Sequence, residues 1–592
     1  MFERLLKERL ITGILMAAMA AVFLTCRAQG PPASLKQADT DYRAGVAALS
    51  RNDLNSALTD FEHAVQLAPA AWQAHSALGS VLVRLGRTDE GIRELEKALA
   101  IHPGDSSAEL SLALGYEQGG HPAKALPYFA KVVAASHAEK HPLAVPVLAS
   151  YARALAATGQ VRTAIVRMKE ALAHDPRNFE LQDELGSLYA QMQDWPNARL
   201  AFSAAIQEKP DSAIAHLHLG LTLQAAQQAG ALEELTKAHE LAPRDAAIAL
   251  ELGKALASAG QDEQAASILQ SAVELNPAST AADYQLGLVL ERLSRLSEAI
   301  PLLQKAEAAH PDDAEILTNL GMALCQAQRT KEAVPPLQRA VALEPENVTA
   351  HQDLAVAYIQ LSQLDDAIVQ LRAALKLSPD AAQLHYNLGF ALKMQDDWAD
   401  AIPELEAAEK QNPSAPEPPY LLGVLYMQAG RYEDAERELS GSLKLRANNG
   451  DGWATLGSVY NKLDKLPEAV SALREAIRQS PAQADPHLTL AAVLAKQNQA
   501  AEATEERRKA AGLMRSHMNF QRAEVATNSA NSLLTSGKIE EAVAGFREAL
   551  SFDENYAEAH EGLAKALERQ GKSIEAAAER EKATALQKPG PQ

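Results

Sequence analysis

Apolar and polar positions alternate along this chain in helical blocks, each closed by a short polar turn. Residues 314–347 show the arrangement most clearly: a Leu320-Gly321 pair, Ala333 twelve residues on, Ala340 seven later and Pro345 five beyond that. The next 34 residues repeat it with Leu354-Ala355, Ala367, Ala374 and Pro379. Self-similarity at a fixed period of a few tens of residues marks a stacked array, in which each unit buries its apolar face against its neighbours. The spacing predicts two antiparallel helices per repeat, an all-α chain without strands. Repeats start at 38, 72, 106, 145, 179, 213, 246, 280, 314, 348, 382, 416, 450, 484, 523 and 557, sixteen in all. The step is 34 residues nearly throughout, 33 once, after 213, and 39 twice, after 106 and 484.

Three positions stay in phase along the array. Position 8 is Gly or Ala in every repeat. Position 20 is Ala except at Gly91, and position 27 is Ala except at Val132 and Ser442, with Ala231 and Ala238 of the 33-residue repeat standing one place early. Gly costs about 1 kcal/mol of helix propensity relative to Ala, so its recurrence at position 8 predicts a close crossing of two helices. Proline at position 32, as in Pro69, Pro277 and Pro413, ends the second helix. Pro127, Pro301, Pro335 and Pro403 recur at position 22 and are expected to fix the start of that helix.

These residues resemble the tetratricopeptide repeat. Trp453, Leu456-Gly457, Tyr460, Ala469, Ala476 and Pro481 follow its W-x2-L-G-x2-Y…A…A…P pattern almost fully. The resemblance implies an α-solenoid, a right-handed superhelix of antiparallel helix pairs with first helices lining a concave groove. It further implies a non-catalytic scaffold that binds a peptide or protein segment there. The last two repeats lack the proline at position 32, as terminal units often depart from consensus.

Composition agrees with such a stack. Hydrophobic residues make up 47 % of 592 residues but aromatics only 5 %, so the core rests on Ala and Leu. A formal net charge of −20 argues against nucleic acid, whose phosphates need a basic stripe. The P-loop, nucleophile-elbow, zincin and C-x-x-C patterns are absent. Six histidines, His75, His216, His351, His385, His487 and His560, fall at position 4 of their repeats and read as part of the repeat. His137 and His141 stand four apart, but with Pro142 following and no third ligand nearby they read as a solvated loop. Cys325, beside Leu324 and Met322 with no cation in its local sequence, reads as a small packed side chain. No catalytic residue, metal site or cofactor is expected.

Residues 1–28 are unlike the rest. Arg4, Lys7 and Arg9 precede the apolar run Ile14–Leu24, and small residues follow. This describes a signal peptide or an N-terminal membrane anchor spanning residues 10–26. Cys26 offers a lipidation site as a third possibility, although Phe23, Leu24 and Thr25 depart from the usual pattern. Each reading places the array outside the cytoplasm, in the periplasm or beyond. Residues 29–37 read as a linker, 38–522 as repeats 1–14, 523–588 as repeats 15 and 16, and 589–592 as a tail. Met514 and Met518 share a face of the lengthened fourteenth repeat, expected either to pack locally or to lie at a hinge.

A partner would meet positions 2, 5, 9 and 12 of the first helices. The carboxylate-gripping arrangement known in this family needs Lys at position 5, which no repeat has, and the asparagine ladder Asn319, Asn387, Asn528 is broken by Asp353, Leu421 and Thr455. In repeats 9 to 12 this face turns apolar: Met322, Val356, Ile359, Tyr386, Phe390, Tyr420, Val424 and Met427. Elsewhere it carries Asp183, Ser187, Lys254 and Glu291. A contiguous apolar stretch of this kind marks a protein- or peptide-binding surface. The rival expectation is that these side chains pack between repeats. An accessory role in a cell-envelope assembly, secretion or glycosyltransferase complex is the alternative function.

Overall fold

The computed structural model describes residues 33–139 and 142–587. The leader, Cys26, His141 and the tail lie outside the described residues. Within them the chain forms 31 helices and no strand, and no helix is long and apolar enough to cross a membrane. The chain divides into two compact units, residues 1–306 and 307–592. In the first, helix pairs run from Ala33–Ser50 with Leu54–Leu67 onward; in the second they begin with Ala314–Gln326 and Thr330–Leu343.

Local chemistry sets the ends of each helix. Asp245, Ser279 and Asn347 cap first helices by accepting from backbone N–H groups one turn ahead, satisfying donors a helix leaves open. The turn inside each pair closes through one residue of positive φ, save the sixth, which has two, Gln227 and Gly230. Gly86 and Gly260 take it at 79° and 72°, while Gln328 and Ser362 hold 61° and 58° against the usual side-chain penalty.

Position 8 proves to be a seat for a side chain. A Cβ on Gly321 would lie 2.3 Å from Leu337 Cγ, and one on Gly186 2.5 Å from Phe202 Cε1. The second helix drops a Leu or Phe onto the bare backbone of the first, and that side chain is fully buried: Leu337 is 0 % exposed and Phe202 2 %. Only at Gly79 does a backbone atom come as close, Gly91 O at 2.8 Å. The crossing is therefore tight chiefly because an apolar side chain interlocks there.

Four features depart from the sequence expectations. The segment 29–37 is not linker throughout, because the helix Ala33–Ser50 includes Ala33–Gln37, a run of good helix formers with no breaker. Pro127, Pro301, Pro335 and Pro403 lie inside the second turn of their helices rather than at the start. Each removes one backbone bond, and all four sit on the exposed face, where water serves the freed carbonyl. Replacing Pro301 by alanine restores that bond and is expected to stabilise the first unit by about 1 kcal/mol in urea unfolding, short of the ~3 kcal/mol of a proline in mid-helix because it lies only two turns from the helix start. Lastly, the boundary at 522/523 falls within one continuous helix, Ala500–Thr535, because no breaker stronger than Gly512 interrupts it. Its Met514 and Met518 are 43 % and 51 % exposed, so neither packs into the core. Residues 133–139 likewise continue a helix, Pro122–Glu139, rather than forming a loop.

A candidate peptide-binding face

In the second unit the helices Ala314–Gln326, Val348–Gln360 and Ala382–Met394 lie side by side, as do Glu417–Gln428 and Gly450–Lys462. Consecutive first helices pack on one another more than consecutive second helices do, so they form the compressed side of the stack. Leu, Gly and Ala at positions 7, 8, 10 and 11 bury against the second helices, leaving positions 2 and 9, and positions 5 and 12 except at the buried Thr318 and Cys325, turned to the opposite side.

All eight residues of the expected site, Met322, Val356, Ile359, Tyr386, Phe390, Tyr420, Val424 and Met427, are half-buried. None is sealed in the core as Leu320, Leu354 or Leu388 is (each 2 % exposed). Their inner parts pack on adjacent helices and their outer parts form a surface. Tyr386 and Phe390, one turn apart, stack with centroids 6.4 Å apart and planes at 25°. Burial raises the Tyr386 phenol above its usual range, and Glu417 of the next repeat adds to this while Arg446 opposes it. Burial does the same to Tyr420, with Asp451 of the repeat beyond. The two tyrosines thus feel acids across successive helices, which Arg446 partly neutralises by pairing with Glu417. Lys393, half-buried at the position of Ile359 and Met427, brings one ammonium group into the apolar stretch.

The corresponding face of the first unit is mixed, with half-buried Leu110, Leu114, Leu221, Leu250 and Leu288 beside polar side chains that pair with one another. Asp183 holds His218 at 2.9 Å, and Lys254 bonds Glu251 at 2.9 Å. Cys325 is 6 % exposed, and burial, with Asp353 nearby, pushes its thiol up to about 11, far from a reactive thiolate. Among the described residues no cluster of side chains has the make-up of a metal site.

The position-4 histidines belong to the repeat, as expected, and the structure shows how. Each presents Nδ1 to a side chain of its own second helix: His75 to Glu94, His216 to Glu234 and His385 to Glu404 at 2.6 Å, His351 to Gln370 at 2.7 Å, and His487 and His560 to Glu506 and Glu579. Nε2 meets the backbone carbonyl six residues earlier: Pro69, Pro210, Pro345, Pro379 and Glu554, at 2.8–3.1 Å. In three repeats without the histidine another donor serves the same carbonyl: Gln182 to Pro176, Trp453 to Ala447, and Lys305 to Pro277. The carbonyl freed by the end of one repeat is thus latched by the next. The sequence held a signal for this latch, a Glu or Gln 18 or 19 residues after each position-4 histidine, which the repeat alignment alone does not reveal.

Family profiles described as tetratricopeptide repeat match residues 42–177, 151–213, 184–229, 224–280, 284–348, 392–458 and 450–483, and a profile described as TPR repeat matches 357–396 and 530–571. Together they cover well over half of the chain. Such repeats are protein–protein interaction scaffolds, typically non-enzymatic. No curated protein matches. Among solved structures, a TPR protein with an unusual peptide-binding site, YrrB, is 26 % identical, covering 34 % of this chain and 99 % of its own at a TM-score of 0.29. Cut9–Hcn1 of the APC/C is 16 % identical, covering 90 % of this chain and 97 % of its own at 0.31. MamA from Desulfovibrio magneticus RS-1 is 24 % identical, covering 28 % and 96 % at 0.27.

Proposed function

We propose that this chain, which belongs to the tetratricopeptide repeat family, captures a segment of a partner protein along the first-helix face of repeats 9 to 12. One observation carries the reading: all eight apolar side chains of that face stop half-buried, although fully buried places for Leu and Ala lie one position away. A soluble protein keeps such a stretch open where something docks on it. Tyr386, Phe390 and Tyr420 supply rigid aromatic area at small entropic cost, the usual source of binding energy. The occupant is a segment rich in apolar side chains, and the half-buried Lys393 favours one that also bears a carboxylate. Selection from a random peptide display library on the full chain tests this. Enriched peptides should share two or more apolar anchors, and binding should weaken on Lys393→Ala for acid-bearing peptides; enrichment without any apolar preference contradicts the proposal.

The same proposal puts the array outside the cytoplasm, on the strength of the charged and apolar residues 1–28. Fractionation of cells expressing a C-terminally tagged chain checks it, and recovery only in the cytosol rejects it. If the run Ile14–Leu24 is retained as an anchor, an accessory subunit of a cell-envelope assembly becomes the better description.

A further inference from the structure

We propose that the long helix Ala500–Thr535 is a docking site separate from the first-helix face of repeats 9 to 12, and that its occupant is an amphipathic helix of a partner protein with acidic side chains beside its apolar seam. The helix serves as the second helix of repeat 14 and, without a break, as the first of repeat 15. Its two halves bury opposite sides. Ala503 packs into the core of repeat 14 with Leu490 and Leu494. Ala523, about 200° further round the helix at 3.6 residues per turn, packs with Ala549 and Ala559, and Leu534 with Phe546 and Leu563. Between these halves the stretch 511–522 covers about 18 Å at 1.5 Å per residue. Within it only Leu513 and Asn519 are even half-buried.

The exposed stretch has a pattern. Met514, Met518 and Val525 stand 43 %, 51 % and 69 % exposed. Spacings of four and seven residues put all three on one stripe of the helix. Phe520 lies off that stripe and meets Tyr556 edge-on, with ring centroids 5.2 Å apart. Arg508, Arg515 and Arg522, seven residues apart, run along one flank. Apolar seam and flanking charge together make one strand of a coiled coil whose second strand is missing. From Arg507 to Arg522 the helix carries five cations and no acid, in a chain of net charge −20. Arg508 bonds Glu505 at 2.8 Å and Arg522 lies over the Phe552 ring, but Arg515 pairs with no acid among the described residues.

Charge selects the occupant. The arginine row attracts carboxylates and sets five cations against five if a second copy of the same helix is laid along it. An interfacial membrane helix needs a broad apolar face, whereas this seam is narrow and is bounded by Glu505, Glu506 and Glu524. The test pans the full chain against a display library of helical peptides with Leu or Ile along the seam and Glu or Lys randomised beside it. Glu should dominate the flanking positions of the enriched helices. On a chain carrying Arg515→Glu and Arg522→Glu the preference should turn to Lys, and helices selected on the native chain should bind at least about tenfold more weakly. Met514→Gln with Met518→Gln should weaken them as well. Both variants should melt with the native chain, since all four side chains are exposed. Tyr386→Ala with Tyr420→Ala should leave this capture intact, which separates it from the face of repeats 9 to 12. Equal enrichment of Glu and Lys, or a selection that the arginine reversal does not alter, overturns the proposal. So does the absence of any enrichment, and arginine-dependent capture of phosphatidylserine vesicles in that case assigns the stripe to a membrane surface instead.

Discussion

Truncating Leu337 to alanine is expected to destabilise the second unit by about 3 kcal/mol, within the 2–5 kcal/mol range for buried leucines. Leu337 is 0 % exposed, and its Cγ sits against the bare backbone of Gly321. The cavity left behind is walled by two helix backbones, which cannot collapse into it as side chains would. Leu343, on the same helix but 43 % exposed, serves as the control, and its alanine variant should change stability by less than about 0.5 kcal/mol. The damage should also be local, because each repeat touches only its neighbours. Hydrogen exchange should speed up in Ala314–Gln326, Thr330–Leu343 and Val348–Gln360 and remain unchanged in the first unit. Uniform loss of protection along the chain would mean that the array unfolds as a single cooperative block.

The second large effect is acid unfolding. Burial opposes the ionisation of Glu94, Glu506 and Glu579, but hydrogen bonds from Lys97, Lys509 and Lys582 and from the latch histidines outweigh it, so all three carboxyls titrate below the usual range. Arg478, with Gln479, holds exposed Glu475 down to about 2, and Arg295 and Arg329 lower Glu298 and Glu332. Groups depressed in the folded state contribute stability above their unfolded pKa, near 4.3 for Glu, and lose it as pH falls through the folded value. The exposed pairs are each worth little after solvent screening, but they recur along the array. Melting at about pH 3 is expected to come about 10 °C below that at about pH 6. Salt at about 0.5 M should blunt the exposed pairs more than the half-buried latches. An acid limb that disappears in salt would show that the latches contribute nothing to it.

Much of the fold was legible because the repeat multiplies weak signals. One Ala or Gly in an Ala-rich chain says little, but Gly321, Ala355, Gly389 and Gly423 in phase dictate where helices cross. What lay beyond the sequence was the partner of each position. Nothing in Gly321 itself says that it seats Leu337 rather than another backbone, and Pro301 at position 22 does not announce a second turn instead of a first. Those facts depend on where the helix begins, which a capping residue or its absence shifts by several residues. The long helix Ala500–Thr535 escaped for the opposite reason: a break was expected between repeats, and no residue there enforces one. For the candidate face, the apolar character of Tyr386 and Phe390 was plain. Their half-buried placement was not, because position 5 is buried at Thr318 and open at Tyr386.

The central claim is that the face built by Tyr386 and Tyr420 binds a partner segment rather than holding the repeats together. Titration calorimetry of a library-selected peptide against the native chain and against Tyr386→Ala with Tyr420→Ala, read beside the melting temperature of each, separates the two roles. The account predicts an affinity loss of at least about tenfold with the melting temperature unchanged. Unchanged affinity, or a large fall in melting temperature, would show that these side chains serve packing between repeats.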